Sequence, residues 1–241
     1  MSSFPAPEPH GPIEEVFPGV FVVRGSVRMA PLLRIPRNMV VLRAGEALTV
    51  ISAVRLSPAG EAALDALGRV EHVVKLGQFH GMDDAWYLQR YGAPYWAWPG
   101  ATPAGLEVQR RLGVDAFPVP GVVPLAFAET RFPEGVLHHT GVAGGLVIAV
   151  DAIQHWTNTE GCSPLGRVVT HAMRFVKPMN VGGPWLKSMT PRGQTLRADF
   201  ERVLALDFDH AVGGHGSVCQ GGARAALATT IERLFGAAGS A

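Results

Sequence analysis

Four places in the chain put a residue able to bind metal or move a proton at the end of an apolar run, or in the glycine-rich turn after one. His80-Gly81-Met82-Asp83-Asp84 follows the run HVVKL, and His138-His139 lie in a hairpin-like stretch. Asp151 closes LVIAVD, and His215 stands within Gly213-Gly214-His215-Gly216. A rigid strand aims a side chain, and the turn beyond it leaves room for a ligand, so function concentrates at such ends. A carboxylate at the end of an apolar strand is expensive to bury unless it is paired, hydrogen-bonded or metal-bound. Imidazole is the commonest metal ligand and a proton shuttle near neutral pH. Taken singly, Asp151 also fits a turn aspartate, and His215 a loop histidine satisfied by backbone. Order and spacing make the four together more informative than any one of them.

The elements that must hold these residues are short and turn-rich. Val16–Val27 reads as a first strand or hairpin around a Pro-Gly turn, and Asn38–Ala53 as two buried strands joined by AGEA. Ser57-Pro58 opens a helix that Gly68 stops. His72–Leu76 is a strand running into the His80 loop, followed by a short helix, the strand APYWAW and a helix over Pro103–Leu112. Val114–Thr130 reads as two short strands broken by prolines, and Gly135–Asp151 as a hairpin. A helix is expected over Pro164–Phe175, a Pro/Gly-rich loop after it, a helix over Leu196–Leu206, a strand at Phe208–Gly213 and a terminal helix over Gln220–Phe235. Strands alternating with helices in both halves predict α/β or α+β layering.

Composition bounds the function classes. Glycine (29) and proline (19) are about a fifth of 241 residues, yet 47% hydrophobic and 17% charged residues give a chain able to bury a core. A net charge of +1 gives no general nucleic-acid footprint. Two cysteines, Cys162 and Cys219, exclude a disulfide scaffold and a multi-cysteine zinc or iron–sulfur site. The N-terminus lacks the basic and apolar regions of a signal peptide, and no apolar run reaches the ~18 residues of a membrane span. The expectation is a cytoplasmic protein with a small-molecule substrate and neither nucleic-acid nor membrane partners. Residues 1–13 are expected to be a flexible lead-in, and 14–241 a single domain.

The order of these segments resembles the metallo-β-lactamase fold superfamily from Val16 to about Phe235. VFPGVFVVRG and NMVVLRAGEALTVIS are similar to its first strands, LDALGRVEHVVKL to the helix and strand before its metal motif, GGLVIAVDA to the strand ending in its bridging aspartate, and AVGGHGSV to its closing Gly-His-Gly segment. The resemblance implies a four-layer αββα sandwich of two related halves, with metal along one edge between the sheets.

Set on that family's His-x-His-x-Asp-His motif, His80 takes the first position and Asp84 the aspartate, while Met82 and Ala85 replace two histidines. A second register, with Gln78 first and His80 on the second histidine, keeps one ligand instead of two. The third histidine falls on His139, or on His138; neighbours on a strand face opposite ways, so one of the two reaches the site. The implied ligand set is His80, Asp84, His139, Asp151 and His215, with Asp84 also the proton acceptor. Such a set suits one divalent ion, zinc first, or manganese or iron. This pattern resembles a divergent branch whose motif is incomplete. It implies a metal-dependent hydrolase of an ester, thioester, lactone or phosphoester. The competing expectation is the same fold without metal or activity, kept for ligand or protein binding. Cys219, the Trp86–Trp98 aromatics and His155-Trp156 read as packing or loop residues, with Trp86 or Tyr87 candidates to wall a pocket.

Overall fold

The computed structural model describes residues 4–103 and 105–236. Chain order begins β1 (Ile13–Phe17), β2 (Val20–Ala30), β3 (Leu33–Ala44), β4 (Ala47–Ile51), α1 (Pro58–Leu67), β5 (Arg69–Lys75), α2 (Asp84–Tyr91), β6 (Tyr95–Ala97) and β7 (Arg110–Arg111). These strands form one sheet in sequence order, antiparallel through β4 and parallel from β4 to β7. The second half supplies β8 (Val122–Ala126), β9 (Gly135–His139), β10 (Leu146–Ile148), α3 (Pro164–Ala172), α4 (Gly183–Met189), α5 (Arg197–Leu204), β11 (His210–Val212), β12 (Cys219–Gln220) and α6 (Ala223–Phe235). Its sheet runs β12-β11-β10-β9-β8, with β10 and β11 parallel.

Alternating side chains divide the core into three layers, because successive residues of a strand face opposite ways. Val40, Leu42, Val74, Leu137, Ile148 and Val212 pack between the two sheets. Met39, Val41 and Val73 pack with Leu64 of α1 and Tyr87 of α2 on the outside of the first sheet. Val136, Val147 and Ala211 face Trp185, Phe200 and Leu227 of α4, α5 and α6 outside the second. The sandwich is therefore αββα, as expected. No helix among the described residues is long and apolar enough to cross a membrane.

Two local features build the walls of the later site. β2 and β3 form a long hairpin whose tip overhangs the sandwich edge. α3 is clasped to that tip by its cap: Ser163 Oγ accepts from Gly166 N (3.1 Å) and Arg34 N (3.1 Å) and donates to Leu32 O (2.6 Å).

Several expected elements differ. The helix over Pro103–Leu112 is absent among its described residues. Gly105 takes a left-handed φ of 70°, and the chain extends so that Gln109 N reaches Tyr95 O and β7 can pair with β6. One strand, β8, stands where two were expected in Val114–Thr130. The loop expected after α3 contains α4, whose Pro184 sits in the first turn, where a missing N–H has no consequence. In the lead-in, residues 1–3 lie outside the described residues. Pro9–Gly11 are tied down, with Ser26 Oγ donating to Pro9 O and Gly11 N to Arg24 O.

Gly145, immediately before β10, combines a φ of 71° with a position where an added Cβ would lie 2.1 Å from Asp207 O. Gly145→Ala is expected to destabilise the fold by at least ~2 kcal/mol, from backbone strain plus the clash. A urea midpoint unchanged from the wild type would contradict this.

Candidate metal centre

The loops after β5, β10 and β11 leave the same edge of the sandwich. They bring together His80, Asp151 and His215, which come from regions of the chain more than sixty residues apart. His215 Nε2 lies 3.1 Å from Asp151 Oδ1, His80 Nε2 3.5 Å from Asp151 Oδ2, and the two Nε2 atoms 3.3 Å from each other. Among the described residues this is the one group of histidine, cysteine and acidic side chains gathered closely enough to hold an ion.

The surroundings fix how these atoms point. His215 Nδ1 donates to Pro36 O at 2.6 Å, so the lone pair of a neutral imidazole sits on Nε2 and faces Asp151. Trp156 stacks on the His215 ring at 6.2 Å and 14°. Its indole N–H donates to Gln154 Oε1 (2.8 Å), which turns the Gln154 amide nitrogen toward Asp151 O and Oδ1. Asn38 holds the turn that carries His215, donating from Nδ2 to Gly213 O (2.9 Å) and Gly216 O (3.1 Å). Gly214 has to be small, because a Cβ there would lie 2.7 Å from His80 Cε1.

Electrostatics follow from burial. Burial pushes the Asp151 carboxyl up, but the two imidazoles more than offset it and hold the group far below the usual carboxylate range. Burial pulls His215 down, yet hydrogen bonding to Asp151 and its charge, with the Pro36 carbonyl, raise it overall. His80 stays lowered, because burial there outweighs Asp151. Lone pairs on two imidazoles and a carboxylate thus converge on one point, and only a cation between them, a proton or a metal, makes that arrangement favourable.

The donor set fits a metal. Ligands about 2.0–2.1 Å from a tetrahedral zinc ion lie about 3.3–3.4 Å from one another. His215 Nε2 to Asp151 Oδ1 (3.1 Å) and the separation of the two Nε2 atoms (3.3 Å) are close to that edge length, and His80 Nε2 reaches the other carboxylate oxygen, Oδ2, at 3.5 Å.

The other expected ligands lie elsewhere. His139 pairs with Leu146 at the start of β10, five residues before Asp151, or roughly 16 Å along an extended strand. Its Nδ1 accepts from Gly141 N. His138 faces the helical side, where Nε2 donates to Asp207 O at 2.7 Å. Asp84 is fully buried beneath the loop, where Tyr95 OH donates to its Oδ2 at 2.5 Å and Oδ1 has no hydrogen-bond partner. Burial, against Tyr95 and the Lys75 ammonium, pushes its carboxyl up to about 6. It is not among the side chains gathered with His80, Asp151 and His215. Met82 is 66% exposed at the pocket rim. Trp86 and Tyr87 pack on the far face of the first sheet and do not line the pocket over the triad. Cys219 is buried, with Sγ donating to Gly221 O.

Two residues that sequence reasoning passed over shape the site. Lys75 Nζ donates to the carbonyls of Gln78 and His80 and so holds the His80 loop from below. Glu134, immediately before β9, is 1% exposed and accepts from Gln78 N (2.9 Å) and Trp185 Nε1 (2.9 Å). The only signal for it was an acidic residue abutting the apolar run GVL.

Among solved structures the chain is similar to the DIM-1 metallo-β-lactamase exposed to ceftazidime, at a TM-score of 0.64 and 9% identity, covering 92% of this chain and 96% of that one. A metallo-β-lactamase from Hirschia baltica aligns at a TM-score of 0.57 and 15% identity over 92% and 97%. The mono-zinc form of the FIM-1 metallo-β-lactamase from Pseudomonas aeruginosa aligns at 0.58 and 13% over 93% and 96%. No protein-family model and no curated protein matches the sequence. The chain has the metallo-β-lactamase fold. At this identity the likeness extends to the fold and no further.

Burial raises the Glu134 carboxyl to about 8, against the Gln78 and Trp185 donors. A carboxyl raised on folding stabilises fully below its unfolded value of about 4.5, and that contribution is lost as pH climbs to about 8. Wild-type stability is therefore expected to decline between pH 5 and 9, and Glu134→Gln to flatten the part of the decline above pH 6. Urea midpoints measured across that range give the slope. Equal slopes in the two proteins would refute the assignment.

Proposed function

We propose that the protein is a metal-dependent hydrolase holding one divalent ion, zinc first among candidates, on His80, Asp151 and His215. The observation that carries this reading is the gathering of one ligand atom each from His80, Asp151 and His215 within 4.8 Å of one another, at the base of an open pocket. A divalent ion there would supply acidification of water toward a pKa of ~7 and polarisation of a carbonyl or phosphoryl oxygen. The substrates in reach of that chemistry are esters, thioesters, lactones and phosphoesters. In ester hydrolysis water adds to the carbonyl carbon, the bond from that carbon to the alkoxy oxygen breaks, and the proton released by water ends on the leaving alcohol.

The chain's own residues orient and exclude. Pro36 O and Trp156 hold the His215 ring, and the Gln154 amide steadies Asp151. Trp185, Phe175 and Ile35 keep bulk water from the walls above. Asp151 is the only carboxylate in the pocket lining, so ligation and any proton acceptance by a carboxylate converge on one side chain.

A second reading, the fold kept for binding without catalysis, is favoured by one observation. With Asp84 sealed under the loop, no separate general base faces the triad.

The deciding experiment measures metal content and thermal stability together. Purified wild type supplemented with zinc at neutral pH is expected to carry one ion per chain and to unfold at a higher temperature than after chelation. Saturation at 100 times Kd corresponds to ~2.7 kcal/mol. His215→Ala and Asp151→Asn should lose the ion, whereas His139→Ala and Asp84→Asn should retain it. Wild type that stays free of metal after supplementation refutes the metal reading. Wild type that binds one ion yet hydrolyses no member of the four substrate classes establishes the second.

A further inference from the structure

The cavity above the triad has a volume of about 530 Å³, within the size range of small-molecule sites. Its polar atoms are concentrated at the base, on the triad and Gln154. The walls are apolar: Val27, Leu33 and Ile35 come from the β2–β3 hairpin, Val169 and Met173 from α3 and its C-cap, and Phe175 from the turn beyond. Apolar side chains continue out to the rim on separate segments, where Met29 is 61%, Met82 66% and Phe79 51% exposed. A contiguous apolar surface of this kind marks a place where an apolar ligand is received.

Charge sharpens the class of ligand. Apart from the two triad histidines, Arg37 is the only basic side chain in the lining, and its guanidinium is already committed to other partners. Its Nη2 pairs with Asp83, Nε donates to Ser26 O and Nη1 to Ala53 O. No lysine lines the cavity, while the Asp151 carboxylate faces it. Above the triad, nothing in the walls can neutralise a charge carried along a ligand's chain, and bringing such a group out of water without a partner is strongly unfavourable.

We propose that the pocket takes an uncharged medium-chain acyl compound, with its carbonyl at the triad and its alkyl chain between the hairpin and α3. At ~30 Å³ per water-sized group, the cavity holds about 17 non-hydrogen atoms. That corresponds to an acyl chain of about ten carbons with its head group. Resting on the hydrolase reading for its chemistry, this inference narrows the substrates to esters, thioesters or lactones whose acyl chain is uncharged. The shape and charge of the cavity do not depend on that reading, so binding tests it separately.

The probes are N-methyl alkanamides from four to twelve carbons, neutral and stable to hydrolysis, and alkanoates of matching length, all below their micellar concentrations. Binding is read by the fluorescence of Trp156 and Trp185, which line the cavity, in chelator-treated protein. The amide Kd is expected to fall about threefold to fourfold per added methylene up to about ten carbons and then level off. Matched alkanoates should bind at least tenfold more weakly. Val169→Lys, and independently Met173→Lys at a position already 47% exposed, should reduce the chain-length dependence and shift preference toward the alkanoates. A Kd independent of chain length, or alkanoates bound more tightly than amides by the wild type, overturns the proposal and leaves the metal reading standing. A steep chain-length series in a protein that takes up no metal removes the hydrolase reading and leaves this one intact.

Discussion

The edge of the sandwich is organised around one buried negative charge. Asp151 leaves β10 into a site where it is only 8% exposed, and an ionised carboxylate there demands compensation from every side. Two imidazoles supply it directly. Their own orientations then need support, which comes from Pro36 O on one ring nitrogen of His215, the stacked Trp156 indole, and the Gln154 amide. The requirement spreads into the backbone. Asn38 on β3 grips the turn carrying His215, and Gly214 is held to a hydrogen atom because His80 occupies the space a methyl group would need. Residues far apart in sequence are thereby committed to a few ångströms of shared volume.

Beneath this sits a second polar layer with a different task. Asp84, Tyr95 and Glu134 are buried, and Lys75 half-buried, around the base of the His80 loop. Lys75 and Glu134 bind loop backbone, through the Gln78 and His80 carbonyls and the Gln78 N–H respectively. They act on backbone and leave the pocket to the triad. The loop after β5 has little regular structure of its own, and these contacts give it the rigidity that a strand end gives Asp151.

Much of this was legible in the sequence, for physical reasons. Strands such as NMVVLR and LVIAVD are apolar on both faces because both faces are covered, and that pattern predicted the layers. His80, Asp151 and His215 stood out because each follows a parallel strand at its carboxyl end, a place the topology gathers to one edge. His139 and Asp84 lie apart from the triad for complementary reasons. His139 has the right residue type on the right strand, but antiparallel pairing puts it at the opposite end of the sheet, and register is set by partners that a single strand does not reveal. Asp84 fits the family spacing, but the chain turns into α2 there and carries the carboxylate under the loop to meet Tyr95. The extended stretch before β7 resembles a helix in composition, and pairing with the sheet edge overrode that tendency. Glu134 carried almost no local signal, since its role comes from Gln78 and Trp185, each more than fifty residues away in sequence.

The clasp at Ser163 has an implication for how the pocket could change. One hydroxyl joins the tip of the β2–β3 hairpin to the start of α3, so the two apolar walls form a single sub-assembly. Asp151 and His80 leave strand ends elsewhere in the fold, while His215 is tied to the stem of the same hairpin through Pro36 O and Asn38. The hairpin therefore does two things along its length: its tip shapes the pocket wall and its stem fixes a triad ring. Substitutions near the tip and on α3 can reshape the walls while the stem keeps the triad in place.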